Sequence, residues 1–168
     1  DKITASRVMF VQGIGALALV PVLTALSDKL NSRRAGLIIC AALGLAGSLG
    51  LSLFAGSLPI PLLTICIMTM PLFGLAGATC VFSLIRRNFP LGLTGTGIGC
   101  ANMFWPVCAA LLNEIVGVVR GGFMGGLPPD AMPQTQIAAA YGKTFTMYIA
   151  CYAVALILPL FFIKENFS

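Results

Sequence analysis

Five stretches of the chain, at about 8–26, 35–54, 61–85, 91–119 and 141–163, are long, apolar and almost free of charge. A helix needs about 20 such residues to cross a bilayer. Inside lipid every backbone N–H and C=O must find a partner within the protein, which leaves helices or a closed barrel. Apolar and polar residues do not alternate along these stretches, so a barrel is excluded. The pattern predicts an all-α integral membrane protein with five transmembrane helices.

Composition points the same way. Apolar residues make up 58% of the 168-residue chain and charged residues 9%, where an average soluble domain carries roughly 25% charge. The mean hydropathy is +0.99. A soluble domain of this length leaves too much surface in water to hide that apolar content. A soluble enzyme, a disordered tail and a secreted disulfide scaffold are thereby excluded.

The side-chain inventory removes further classes. Histidine is absent, which removes Ser-His-Asp triads, Cys-His pairs and His-ligated zinc or haem. The five acids, Asp1, Asp28, Glu114, Asp130 and Glu165, are dispersed, so paired-carboxylate catalysis lacks its pair. The six cysteines lie inside apolar runs without C-x-x-C spacing. They read as small buried apolar side chains with no disulfides. Net charge is +5, but the bases flank the apolar runs, as the positive-inside rule produces. They are too dispersed for a nucleic-acid groove. No enzyme activity, cofactor, metal or nucleic-acid partner is expected.

The connections set the topology. Residues 27–34 read S-D-K-L-N-S-R-R, and residues 86–90 read R-R-N-F-P. Residues 56–61 form a short uncharged turn, and 120–140 a long Gly- and Pro-rich connection expected to be irregular. Lys29, Arg33, Arg34, Arg86 and Arg87 fall on the first and third turns, against Arg120 and Lys143 at the long connection. That count places the first and third turns in the cytoplasm and the 120–140 loop outside. Lys164 in the tail then lies inside, and Lys2 and Arg7 lie outside. The chain opens on Asp1 with no signal peptide evident, and reads as a piece of a longer protein.

Two constellations stand out. In the first, Asp28 precedes Lys29, Arg33 and Arg34 on a short turn. Such a cluster either solvates an exposed turn or pairs across two helix ends. The second is a stripe on the fourth helix. Gly95, Gly99, Asn102, Pro106, Ala109 and Asn113 follow steps of three and four, which puts them on one face. That face is either a packing seam with one interhelical hydrogen bond or, with Trp105 one step away, the lining of a cavity in which Asn102 and Trp105 touch substrate. Gln12, near the middle of the first helix, is a second candidate for substrate contact or an interhelical hydrogen bond. Glu114 lies roughly 15 Å from its helix midpoint at 1.5 Å per residue, where it is a solvated helix end or a coupling residue. Pro21, Pro71 and Pro106 each remove a helical hydrogen bond, as bent membrane helices do. Tyr148 and Tyr152 share a face of the last helix and read as packing or cavity lining.

The charged turn carries a resemblance. L-S-D-K-L-N-S-R-R leading into a Gly- and Ala-rich helix resembles the signature G-x-x-x-D-[RK]-x-G-[RK]-[RK] of the major facilitator superfamily. Asp28 and Lys29 match, and Arg33 and Arg34 match the terminal basic pair after one extra residue. Thr24 stands at the leading Gly, and Asn31-Ser32 replaces the inner one. So weakened a copy fits the second half of such a transporter. R-R-N-F-P followed by G-L-T-G-T-G-I-G-C-A-N looks like the start of an eleventh helix, and F-F-I-K-E-N like the end of a twelfth. The resemblance covers nearly the whole chain, as helices eight to twelve of twelve.

This likeness implies part of a secondary transporter that moves a small solute by alternating access between two bundles. It implies membrane lipid and the N-terminal helices of the same transporter as partners, and a bacterial inner (plasma) membrane as the location. Asp28, Lys29, Arg33 and Arg34 would form a cytoplasmic gate. The other reading is a stand-alone small helical membrane subunit or scaffold.

Overall fold

The computed structural model describes residues 2–54, 56–125, 132–161 and 163. They form five helices and no strand: α1 (Lys2–Lys29), α2 (Arg33–Phe54), α3 (Ile60–Asn88), α4 (Leu91–Phe123) and α5 (Gln134–Phe161). All five are long and apolar enough to cross a membrane. The chain is an all-helical, multi-pass integral membrane protein.

Each helix extends past one or both ends of its apolar stretch. The extra turns carry charged and polar residues, which stay helical where the backbone leaves hydrocarbon. The 120–140 connection is shortened most, since α4 runs to Phe123 and α5 starts at Gln134. Aromatic and cationic side chains join these two ends. Arg120 lies 5.6 Å from the Tyr141 ring centroid and donates to its hydroxyl at 3.2 Å, and Lys143 lies 5.4 Å from the Phe123 ring centroid. Residues 126–131, the middle of the connection expected to be irregular, lie outside the described residues, as does Lys164.

Short turns alternate the helix directions, so the C-termini of α1, α3 and α5 and the N-termini of α2 and α4 share one end. Lys29, Arg33, Arg34, Arg86 and Arg87 gather there. Helix α2 occupies the centre, packed on α3 and α5, with α1 against α3. Its buried face runs Gly36, Leu37, Cys40, Ala41, Gly44, Gly47, Ser48 and Leu51, a helical stripe of mostly small residues. Between helices in lipid, close van der Waals packing of small residues replaces the hydrophobic drive found in water. A Cβ at Gly47 would come within 2.6 Å of the Cys66 carbonyl oxygen, and one at Gly50 within 2.9 Å of the Cys66 sulfur. The α2–α3 approach therefore depends on glycine at both positions.

Helix α4 sits at the periphery, against α3 and α5, with none of its residues buried. Pro21, Pro71 and Pro106 all lie inside continuous helices. The six cysteines are free. Cys40 and Cys80 are buried as expected and Cys66 is half-buried, but Cys100, Cys108 and Cys151 are exposed. The exposed three stand on faces of α4 and α5 that no other helix covers among the described residues.

Candidate functional site

The best-built polar site grows from the α1–α2 turn. Asn31 has φ of 47°, in the left-handed region. Its amide donates to the Asp28 carbonyl at 3.0 Å, and that of Ser32 to the Ser27 carbonyl at 3.3 Å. These two bonds make a Schellman cap, whose left-handed position suits glycine or asparagine. Ser32 then caps α2, its hydroxyl accepting from the Ala35 amide at 2.9 Å.

Two consecutive arginines leave this turn in different directions. Arg33 forms an ion pair with Asp28 at 2.5 Å, its side chain 24% exposed against 54% for the acid. An ion pair this wet contributes about 0–1 kcal/mol, so it orients two helix ends more than it stabilises them. Arg34 donates to the Leu160 carbonyl of α5 at 2.6 Å. Carbonyls in a last helical turn have no partner within the helix, and a cation there also complements the macrodipole. Lys29 closes α1 and is exposed.

Beneath the turn the helices approach closely. The buried Ser27 hydroxyl donates to the Ser32 carbonyl at 3.1 Å, and the Cys80 thiol of α3 approaches that hydroxyl at 3.8 Å. A Cβ at Gly36 would come 2.7 Å from Ser27 Oγ and 2.9 Å from Cys80 Sγ. Deeper along the same seam, Thr24 Oγ1 lies 3.3 Å from Thr79 Oγ1.

Above this junction lies a cavity of about 360 Å³ lined by Ser27, Asp28, Asn31, Arg33, Ser83, Arg86 and Arg87. The charged turn and its place on the same side as Arg86 and Arg87 were legible in the sequence; that the two turns line one cavity was not. Parity alone brings the two basic turns to the same end, but not to the same cavity.

The other sequence candidates, Gln12 on α1 and Asn102, Trp105 and Glu114 on α4, stand apart from this site. Gln12 is half-buried on α1. On α4, Asn102 and Glu114 are exposed and make no hydrogen bond or ion pair among the described residues. Among the described residues, no other helix packs on the α4 stripe. No atom lies within 4 Å of a Cβ built at Gly95 or Gly99, and Pro106, Ala109 and Asn113 are exposed. The covered face of α4 lies to one side, where Gly97 approaches Ile85 and Trp105 lies against Gly74 of α3. Trp105 is thereby a packing residue, although its ring stays half exposed. The cavity at the basic end is not lined by Gln12, Asn102 or Trp105.

Tyr152 packs rather than lines a cavity. Its ring lies against Gly44 of α2 and its hydroxyl donates to the Met70 carbonyl of α3. Tyr148 stands 5.9 Å from Phe145, ring to ring. No group of three or more potential metal ligands occurs among the described residues. No protein-family model matches the chain, and neither does any curated protein or solved structure.

Proposed function

We propose that the chain is part of a secondary active transporter that moves a small solute across a membrane by alternating access. The observation that supports this reading best is the double anchoring of the α1–α2 turn. Arg33 holds Asp28 at the end of α1, while Arg34 holds the last turn of α5. Three helix ends are thus tied by contacts that are polar, exposed and individually weak, so they can break and re-form in each transport cycle. The basic end faces the cytoplasm in this reading, as the positive-inside rule requires, and a bacterial inner membrane is the proposed location. Ion coupling, if present, adds a role for Glu114. The exposed faces of α1 and α4 would then meet the N-terminal helices of the transporter, with Gln12 and Asn102 among the residues turned toward a shared cavity.

The test compares cells lacking the protein with cells carrying the native form or Asp28→Asn in its full-length context. A transporter restores a small-solute gradient that the deletion abolishes, and Asp28→Asn fails to restore it at equal membrane abundance. A solute profile that does not change on deletion refutes transport. An antibody to the tail also separates the readings by native size. A band far above 17.5 kDa, near that of a twelve-helix chain, fits the transporter, and a band at that mass fits a small subunit or scaffold.

A further inference from the structure

The cavity at the basic end holds more positive charge than its ion pair requires. Asp28 is already engaged by Arg33. Arg86 and Arg87 line the same cavity, are exposed, and form no ion pair among the described residues. Two guanidinium groups therefore border one small volume without a counter-charge. The backbone does not supply one. The end of α1 and the start of α2 meet here with opposite dipole ends, and the end of α3 adds only roughly half a negative charge.

The lining narrows the class of anion. Guanidinium forks match the paired oxygens of carboxylates and phosphates. The Ser27 and Ser83 hydroxyls already donate to the carbonyls of Ser32 and Thr79, and the Asn31 backbone amide to that of Asp28, so the donors left for a ligand are Arg86, Arg87 and the Asn31 side-chain carboxamide. Asn31 is held at the cavity wall by its left-handed turn. At about 360 Å³ the cavity falls within the range of roughly 300–1,000 Å³ for small-ligand sites. It opens at the helix ends, the level at which apolar spans give way to lipid headgroups.

We infer that this cavity binds a phosphate oxyanion, gripped by Arg86 and Arg87 while Arg33 stays on Asp28. The phosphate belongs either to an anionic lipid headgroup or to a free phosphate, and the two sources are separable by experiment. The site does not depend on the transport reading, because its readout is binding.

The full-length protein, purified in an uncharged detergent, is titrated at constant ionic strength with dioctanoyl phosphatidylglycerol, with inorganic phosphate, and with zwitterionic dioctanoyl phosphatidylcholine as a control. Thermal unfolding gives the apparent affinity. A saturable rise in unfolding temperature is expected with phosphatidylglycerol or phosphate, and none with phosphatidylcholine. A response to phosphatidylglycerol alone assigns a lipid headgroup, and a response to inorganic phosphate assigns a free oxyanion. Arg86→Gln and Arg87→Gln each weaken binding roughly tenfold, while Arg120→Gln at the opposite end leaves it unchanged. Arg86→Lys with Arg87→Lys guards against misfolding. It keeps the charge, unfolds at the native temperature without ligand, and binds more weakly for want of the forks. No saturable shift with either phosphate, or a shift that survives the paired Gln substitutions, overturns the site.

Discussion

The Tyr152 ring fills the space that a side chain on Gly44 would need, and its hydroxyl donates to the Met70 carbonyl beyond. One residue of α5 thus closes a junction of three helices. A Cβ at Gly44 would lie under 3.0 Å from three ring atoms, and the ring cannot withdraw while the hydroxyl keeps its bond. Gly44→Ala is expected to cost about 1–3 kcal/mol by overpacking. Tyr152→Phe is expected to cost about 0.6 kcal/mol, the average for polar contacts between membrane helices. Unfolding in detergent of both variants and their combination measures the coupling. The combined loss is smaller than the sum, because the alanine already displaces the hydroxyl. Strict additivity would show that ring and glycine do not share the space.

Asn31 is the residue with which α1 stops. Its φ of 47° suits glycine at least as well, so Asn31→Gly is expected to change stability by no more than a few tenths of a kcal/mol. Asn31→Val places a β-branched side chain in the left-handed region and costs about 1–2 kcal/mol. Unfolding temperatures of the two variants give the comparison. A valine as stable as the glycine would mean that the turn does not hold this conformation.

Much of the fold was legible because membrane spans depend on one-dimensional information, namely apolar length and flanking charge. Packing order was not. Gly36, Gly44 and Gly47 of α2 and Gly95 and Gly99 of α4 look alike in sequence, yet the first set is buried and the second open. The difference lies in what stands opposite. Tyr152 and Thr69 fill the α2 hollows, whereas no described residue of another helix approaches Gly95 or Gly99. The candidate site divides the same way. Asp28 and Arg33 are five residues apart across a turn, so a local reading could offer pairing as one of two alternatives for this cluster without naming which base takes the acid. Arg86 and Arg87 reach the cavity only because α3 packs against α1 and α2, a tertiary fact without a local signature.

Trp105 and Asn102 are neighbours on α4 with different expected roles. Trp105→Ala removes a ring that lies on Gly74 and lowers stability by about 2–3 kcal/mol, less than the 3–5 of a fully buried aromatic because the ring is 53% exposed. Asn102→Ala removes an exposed amide and leaves unfolding of the chain within about 0.5 kcal/mol. In the full-length protein it is expected to shift solute affinity. A substitution that lowers only protein yield would place Asn102 at a packing contact with another helix instead.

The Asp28–Arg33 pair offers the cleanest separation of gating from folding. Because both side chains are partly solvated, loss of the pair costs about 0–1 kcal/mol and membrane abundance stays near native. Asp28→Asn keeps size and hydrogen-bonding capacity but removes the charge that positions Arg33. Transport by the full-length protein is expected to fall several-fold, with Arg33→Gln giving the same defect and the double variant adding little to either. Unchanged transport in Asp28→Asn at native abundance would remove the pair from the gate and leave it as a turn that orders α1 and α2.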